Sequence, residues 1–348
     1  MIEIDASFGE GGGQIVRSAL ALSLVTRRAI RLTHIRARRP RPGLGAQHLK
    51  AVQAAAGVSD ARVEGAAPGS QTLEFAPRAL HGGAFEIAIG TAGSTLLVLQ
   101  TVFVALAFAR TASSITLSGG THNPWSPPFQ YVAWQWLPWL ERIGCRGSVA
   151  LERAGFYPAG GGRVRATIEP AARLEPLELV ERGALKRIRG VSGCAGLALE
   201  VARRQSGCAA ERLARHGVPL EIAEEEVDAA SRGSYLVLSA EFERSRGVAS
   251  ALGAPGKRAE QVGEQAAASL ERMIASGAAV DEHLADQLVV PLALAAGESR
   301  VTTARVTRHL LSNAALVERF LPGSVTVRGE EGEAGELLVR GRGVPSPG

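Results

Sequence analysis

The sequence has little cysteine, and this scarcity argues against two kinds of stabilised fold. Cys145, Cys194 and Cys208 are the only three cysteines among 348 residues, and no CxxC pair occurs. A disulfide framework and a cysteine zinc site are therefore not expected. Long apolar runs are also missing, because the best membrane candidate, residues 87–109, is interrupted by several polar side chains. The chain begins with acidic MIEID rather than a basic leader, so we predict a cytoplasmic protein with no membrane partner.

Lysine is scarce too, although the chain is basic overall. Lys50, Lys186 and Lys257 are the only lysines among 39 basic residues, so the other 36 are arginines, and the formal net charge is +5. Arginine holds phosphate with a planar, two-pronged guanidinium, and a basic chain favours polyanionic partners such as nucleic acid or nucleotides. Coding bias of the genome explains the same arginine content. The positions of the arginines must therefore decide between these two explanations.

The pattern of strands and helices indicates a repeated α+β unit. Strand, glycine-containing turn, helix, strand and second helix follow one another twice, which suggests a repeat of roughly 80 residues. The first copy has predicted strands at 2–5, 29–36, 61–64 and 72–75 and predicted helices at 14–25 and 45–56. The second has strands at 85–89 and 114–118 and helices at 95–109 and 129–143, the last of them kinked at Pro138.

A third copy is predicted to be split by an insertion. Its strands are expected at 163–168 and 174–179, whereas its helices follow only at 283–296 and 308–321. The intervening residues show strand signals at 195–201 and 234–239 and helix signals at 209–216 and 260–276. We therefore predict a main domain of residues 1–182 plus 277–348 and a smaller inserted domain of residues 183–276. Sheets covered on one face by helices are expected throughout.

A glycine-rich loop, GEGGGQ from Gly9 to Gln14, precedes the first predicted helix. Free backbone amides at a helix N-terminus, together with the helix dipole, form a site for a phosphate group. The loop is not a Walker loop, and Gln14 occupies the place of the third glycine in the dinucleotide-binding pattern. A tight turn that requires positive φ explains the same glycines. Both interpretations stay open at this point.

Basic residues gather just beyond this loop. Arg17 lies on the first predicted helix, and four more arginines surround two prolines after the next strand: Arg36, Arg38, Arg39 and Arg41. The second helix then begins with Gln47, His48 and Lys50. Such a cluster suits phosphate binding, and a solvated basic turn is the alternative. Only the side chains that point towards the glycine loop are expected to contact a phosphate.

His309 has the most informative surroundings of the seven histidines. Thr307 is placed to cap a helix whose first turn contains His309. A helix N-terminus disfavours a cationic imidazole, so the ring is expected to stay neutral and nucleophilic near pH 7, where helix amides attract phosphate. A structural or solvated histidine is the alternative. Asp286 and Gln287, one helix earlier, either contact the substrate or belong to an ordinary first turn.

All four tryptophans lie between Trp125 and Trp139, on a proline-rich turn and the helix after it. They either stack on bases or pack against the sheet. Other chemistries find no support, since the sequence contains neither a G-x-S-x-G elbow nor an HExxH pattern.

Eight segments, in order from one end of the chain to the other, resemble the RNA 3′-terminal phosphate cyclases. They are EGGGQIVRSALALS from Glu10, IRARRPRPGL from Ile35, GSQTLEF from Gly69, GTAGSTLLVLQT from Gly90, SGGTHNPWSPP from Ser118, GFYPAGGG from Gly155, HLADQLVVPLALA from His283 and RHLLSNAALVERFLP from Arg308. The match is weakest over the insertion. The resemblance implies three repeated units of two helices on a four-stranded sheet, like the C-terminal domain of translation initiation factor three, with a smaller inserted α/β domain.

The resemblance also implies an activity, the ATP-dependent conversion of an RNA 3′-phosphate end to a 2′,3′-cyclic phosphodiester. His309 matches the family's nucleophile, which attacks the α-phosphorus of ATP, expels pyrophosphate and holds AMP as a phosphoramidate. AMP then passes to the RNA 3′-phosphate, and the neighbouring 2′-hydroxyl attacks that activated phosphate and releases AMP. The implied partners are ATP and an RNA with a 3′-phosphate end.

Further site residues are carried over from the resemblance. Glu10 resembles the family's ligand for a divalent cation, magnesium or manganese. The residues that resemble phosphate and RNA-end contacts are Arg17, Arg36, Arg39 and Gln47, and those that resemble nucleotide contacts are Gln100, Pro127, His283, Asp286 and Gln287. Pro127 resembles one side of an adenine-stacking pair. His283 occupies the other side, where tyrosine is common, so the stacking surface is smaller.

Two other functions are kept as alternatives. One is a non-catalytic RNA-binding or ribosome-assembly protein of the same fold, a branch of the family that lacks the nucleophilic histidine. The other is an adenylyltransferase that acts mainly on other phosphorylated nucleic-acid ends. Because His309, Glu10 and the arginines are all present, we favour the cyclase.

Overall fold

The first repeat is a four-stranded sheet with two helices, seen in a computed structural model that describes residues 1–343. Its elements are β1 (Ile2–Asp5), α1 (Gly13–Thr26), β2 (Ile30–Thr33), α2 (Ala46–Gly57), β3 (Arg62–Glu64) and β4 (Leu73–Ala76). The strand order is β1-β2-β4-β3, with β1 parallel to β2 and the other neighbours antiparallel. Alternate residues of β1, β2 and β4 are the more buried ones, as expected for a sheet covered on one face.

The second repeat has the same topology. Its elements are β5 (Ala84–Ala88), α3 (Thr95–Ala107), β6 (Ser113–Gly119), α4 (Phe129–Tyr131), a π-helical turn (Val132–Trp136), α5 (Leu137–Arg142), β7 (Gly147–Arg153) and β8 (Gly162–Ile168). The strand order is β5-β6-β8-β7, again with only the first pair parallel. This agreement confirms the repeat that the sequence predicts.

The irregularity predicted at Pro138 occurs in the turn before it. Pro138 lies at the start of α5, directly after the π-helical turn. Proline has no N–H to donate to the carbonyl of Trp134, four residues earlier. That carbonyl instead accepts a hydrogen bond from Nη1 of Arg246, at 2.9 Å. The wide turn therefore leaves room for a contact from a later part of the chain.

The third repeat starts with β9 (Glu178–Leu179), and the insertion follows at once. It contains β10 (Leu185–Ala195), α6 (Glu200–Leu213), a 3-10 turn (Ala214–His216), β11 (Leu220–Glu226), β12 (Gly233–Phe242), β13 (Arg246–Leu252) and α7 (Ala259–Ser276). The sheet order is β11-β10-β12-β13, and α6 and α7 pack over a separate apolar cluster. The strand predicted at 195–201 is wrong, because β10 ends at Ala195 before Gly196, whose φ is 59°. The domain limits at 183 and 276 stay a prediction.

The chain returns to the third repeat through α8 (Glu282–Leu294), β14 (Ala296–Thr303), α9 (Arg308–Phe320), β15 (Val325–Arg328) and β16 (Gly335–Arg342). The strand order read from β9 is β9-β14-β16-β15, which again has the topology of the first two sheets. The assignment of residues 163–168 to this repeat is wrong. They form β8, which lies between β6 and β7 in the second sheet.

The helices of the three repeats meet at one centre. Helix α1 contacts α2, α3, α8 and α9, and α8 contacts α9. Because α3 is surrounded, it is apolar on nearly every side and eleven of its thirteen residues are buried. Within residues 1–343, no helix is both long and apolar enough to cross a membrane. The meeting point of these helices is where the candidate site lies.

Candidate active site

A cavity of about 520 Å³ opens between α1, α3, α8 and α9. Its wall includes seven of the residues predicted from the sequence: Arg17, Gln100, Pro127, His283, Asp286, Gln287 and His309. The sequence separates these residues by almost 300 positions, and the packing of the repeats brings them together.

His309 lies at the mouth of this cavity, in the first turn of α9. The side chain of Thr307 accepts a hydrogen bond from a backbone amide of that turn, which confirms the predicted cap. The pKa of His309 lies below its ordinary value, first because surrounding atoms partly desolvate the ring and then because the cation Arg17 lies nearby. The ring is therefore neutral near pH 7, as the sequence predicts.

A chain of hydrogen bonds runs from His309 into the protein. Nδ1 of His309 bonds to Oε1 of Gln14, and Nε2 of Gln14 donates to Oδ2 of Asp286 at 2.9 Å. The main-chain carbonyl of Asp286 accepts from Nδ2 of Asn313 at 2.8 Å. In the sequence, Gln14 stands out only as a departure from the glycine pattern of dinucleotide-binding loops. A polar residue on the apolar face of α1 was the available signal.

Asp286 carries an unusual carboxyl group. Burial raises its pKa to about 7, although His283, the hydrogen bond from Gln14 and Arg17 all act to lower it. Its Oδ1 atom is buried and has no hydrogen-bond partner among the described residues. Burial also lowers the pKa of Arg17, to about 10, and the charge of Asp286 opposes that change. The two groups form a polar centre in the wall of the cavity.

The glycine loop leaves the N-terminus of α1 without a side-chain cap. The cap residue Gly12 is extended and offers no side chain to the first amides of the helix. Gly9 and Gly11 have φ of 57° and 62°, so the tight-turn interpretation is correct for these two positions. The amide of Glu10 donates to Oγ of Ser312 at 3.0 Å, which ties the loop to α9. A turn that needs glycine thus holds uncapped amides near His309.

The arginine cluster divides into two parts. Arg39 forms an ion pair with the carboxylate of Glu10, and Nη1 of Arg36 donates to the carbonyl of Gly43 at 2.7 Å. Both side chains are only partly exposed, whereas Arg38 and Arg41 lie in solvent. The solvated-turn interpretation therefore fits Arg38 and Arg41, and the phosphate interpretation is left for Arg36 and Arg39.

Two neighbouring residues of α2 fix the loops around the cluster. The backbone amide of Gly45 donates to Nδ1 of His48 at 3.1 Å. Burial, followed by the charges of Arg17 and Arg36, lowers the pKa of His48 to about 3, so this ring is neutral. Oε1 of Gln47 accepts from the amide of Ser94 at 2.8 Å. The predicted RNA-end contact Gln47 thus has its carbonyl group engaged with the turn before α3.

Comparison with known sequences agrees with this arrangement. A family model described as RNA 3′-terminal phosphate cyclase matches residues 8–327. The chain belongs to the RNA 3′-terminal phosphate cyclase family. A relative of that name from Ralstonia nicotianae is 49% identical, over 94% of this chain and 94% of its own. Relatives of the same name from Methylococcus capsulatus and Methanopyrus kandleri are each 45% identical and cover 99% of this chain, with 98% and 99% of their own length covered.

Further residues that line the cavity of this cyclase-family protein come from α3, from α8 and from the loop before α4. Nε2 of Gln100 donates to Oε1 of Gln287 at 2.8 Å, which joins α3 to α8. His283 lies edge-on to Tyr131, with ring centroids 6.4 Å apart, and Pro127 also lines the cavity. The buried side chains Trp136 and Trp139 follow the packing interpretation, whereas Trp125 is fully exposed at the rim.

The residues present do not form a closed metal cage of the kind built from protein ligands alone. Among residues 1–343, no group of three or more histidine, cysteine, aspartate and glutamate side chains is arranged to hold a metal ion. Glu10 is the acidic residue at the loop, and Arg39 already neutralises it. Magnesium is commonly held by one or two carboxylates together with substrate phosphates. The donor set of this cyclase-family site fits such a shared ion.

Proposed function

We propose that the protein uses ATP to convert RNA 3′-phosphate ends to 2′,3′-cyclic phosphodiesters through a covalent His309–AMP intermediate. One observation supports this most: the neutral ring of His309 lies at the cavity mouth with Nδ1 bonded to Gln14, beside the half-buried cation Arg17. Membership of the cyclase family supports the same reaction. Seven of the residues taken from the resemblance line one cavity, which agrees with this reaction, whereas Glu10, Arg36, Arg39 and Gln47 lie outside the lining of that cavity.

The first step joins AMP to the enzyme. Nε2 of His309 attacks the α-phosphorus of ATP, a P–N bond forms, and the P–O bond to pyrophosphate breaks. The uncapped amides of α1 and the guanidinium of Arg17 stabilise the charge that develops on the phosphate oxygens. The cavity end near Pro127 and His283 accepts the nucleoside.

The second and third steps use the bound AMP. An oxygen of the RNA 3′-phosphate attacks the phosphorus of AMP, the P–N bond breaks, and His309 is regenerated. The RNA 2′-hydroxyl then attacks its own 3′-phosphorus, AMP leaves, and the hydroxyl proton passes to solvent. This closure is intramolecular, so holding the RNA end in place supplies much of the rate. Arg36 and Arg39 are the proposed contacts for that end.

A divalent cation, magnesium or manganese, is part of the proposal. Glu10 would supply one carboxylate ligand, and the phosphate oxygens of ATP would supply others. Such an ion offsets negative charge on the phosphates. Arg39 would then exchange its ion pair with Glu10 for a phosphate contact.

The overall reaction is tested with defined RNA ends. We expect an RNA with a 3′-phosphate to gain a phosphatase-resistant cyclic end with ATP and metal, and we expect His309→Ala to give none. Strands that end in a 5′-phosphate or in hydroxyls are the matched controls. Adenylylation of 5′-phosphate strands without cyclisation would favour the adenylyltransferase alternative. RNA binding without any ATP turnover would favour the non-catalytic one.

A further inference from the structure

We infer that Gln14 is a positioning residue that selects the tautomer of His309, and that Asp286 fixes the orientation of Gln14. The inference rests on the proposed nucleophilic role of His309. Gln14 lies on the first helix of the chain, far from His309 in sequence. According to this inference, it controls which ring nitrogen of His309 is free to react.

The direction of each hydrogen bond follows from the chemistry of the groups. Above its pKa of about 7, Asp286 is ionised and only accepts hydrogen bonds, so the amide nitrogen of Gln14 must face it, as the 2.9 Å contact indicates. The carbonyl oxygen of Gln14 then faces Nδ1 of His309. A carbonyl also only accepts, so Nδ1 must carry the proton. The lone pair of a neutral ring is then on Nε2, which is free for attack.

The two partners are held firmly enough to impose this choice. Asp286 lies on α8, whose N-terminus is capped by Asp281, and its carbonyl is bonded to Asn313 on α9. Gln14 lies one residue inside α1 and is 8% exposed. Three helices therefore hold the chain of bonds. The hydrogen bond from Nδ1–H to Gln14 persists when Nε2 is bonded to phosphorus, because the P–N bond does not involve Nδ1.

The fold alone does not require a polar residue at position 14. Gln14 is the second residue after the cap Gly12, and the equivalent residue after the cap Ser94 of α3 is Leu96, which is fully buried. A buried amide costs stability unless each polar atom is paired. Both polar atoms of Gln14 are paired, one with the candidate nucleophile and one with Asp286.

The test reads the ring directly, without ATP. We would record ¹⁵N NMR of the imidazole nitrogens at about pH 8, where His309 is neutral, and assign His309 by its loss in His309→Ala. The wild type should show Nδ1–H as the main tautomer. Gln14→Met has similar length without the acceptor and should shift the ring towards Nε2–H. Its rate of labelling by ATP should fall about 100-fold, because a wrong tautomer blocks the attacking atom.

The outcomes separate this inference from the proposed function. A wild-type ring that is mainly Nε2–H overturns the inference, and so does a tautomer ratio unchanged by Gln14→Met. The wild-type spectrum decides the first point even if the variant fails to fold, and the melting temperature of Gln14→Met checks its folding. An Nδ1–H ring in an enzyme that never takes label from ATP would leave the tautomer assignment standing and overturn the proposed function instead.

Discussion

The starts of α1 and α3 occupy equivalent places in the first two repeats, yet they do different things. Each helix follows a strand and a glycine-containing turn. The cap of α3 is Ser94, whose side chain accepts from the amide of Leu97 at 3.3 Å. The cap of α1 is Gly12, which has no such group. The helix of the second repeat therefore has a side-chain cap, and the helix of the first repeat has none.

The residues that follow the two caps extend this contrast. The second and fifth positions after the cap are Gln14 and Arg17 in α1, and Leu96 and Leu99 in α3. Both leucines are fully buried. The first repeat thus has polar side chains at positions where the second repeat has buried apolar side chains. The shared topology positions both helices, and a few different residues at the start of α1 distinguish the candidate site from ordinary core.

Among the changes that test this contrast between α1 and α3, the largest expected effect comes from Arg17. Arg17→Met removes the cation while keeping much of the volume, and we expect the rate of labelling by ATP to fall about 100-fold, as when one donor to a developing anion is lost. The matched control is Leu99→Met, the equivalent position in α3, which should leave the rate unchanged and cost less than about 1.5 kcal/mol of stability. Single-turnover labelling and denaturant unfolding measure both. Equal rate losses in the two variants would contradict the difference in role between Arg17 and Leu99.

A cap added to α1 should have the next largest effect. Gly12→Ser places a side-chain acceptor where the amides of α1 have no side-chain cap, and its Cβ would collide with Oε2 of Glu10, which must move. We expect about tenfold weaker ATP use, close to the worth of a favourable helix N-terminus. KM and kcat for ATP measure this change. Normal ATP kinetics in Gly12→Ser would contradict a role for these amides.

The pH dependence of labelling also distinguishes α1 from α3, because Gln14 of α1 is hydrogen-bonded to the titratable carboxyl group of Asp286. The pKa of Asp286 is raised to about 7 and that of His309 is lowered, so labelling should rise about tenfold from pH 6 to pH 8 as Asp286 loses its proton. Asp286→Asn should abolish this rise, which forms the acid limb of the pH–rate profile. The charged or titratable groups that face Asp286 are Arg17, His283, Asp281, Tyr131 and His309. A limb that persists in Asp286→Asn would belong to one of those groups.

The smallest effect belongs to the second repeat. Ser94→Ala removes the cap of α3 and should lower the free energy of unfolding by about 1 kcal/mol, with no change in labelling. Chemical denaturation measures the first value, and the ATP-labelling rate measures the second. A large loss of activity with unchanged stability would show that this turn contacts substrate after all.

Much of the fold could be predicted because hydrophobic periodicity depends on residues that are close together in the sequence. The bounds of α2, α3 and α9 differ from the predicted ones by only one or two residues. Residues 163–168 were assigned to the wrong sheet because the pairing of β8 with β6 joins segments about 50 residues apart, and periodicity carries no information about partners.

The candidate site was predictable to a different extent. Capping and amide chemistry, which depend on neighbours in sequence, marked His309 and the glycine loop as candidates, and only the family resemblance assigned His309 the role of nucleophile. The role of Gln14 could not be predicted, because it depends on contacts with residues 272 and 295 positions away. The division between Arg39, which reaches Glu10, and the solvated Arg38 likewise follows from side-chain direction rather than composition.

The most direct test of the account is the covalent intermediate itself. The protein would be incubated without RNA, with magnesium or manganese and ATP labelled at the α-phosphate, as wild type and as His309→Ala. We predict acid-labile, alkali-stable label on the wild type, mapped to the peptide that contains His309, and none on the variant. Label on both proteins, or on neither when both are folded and offered each metal, would contradict the proposed mechanism.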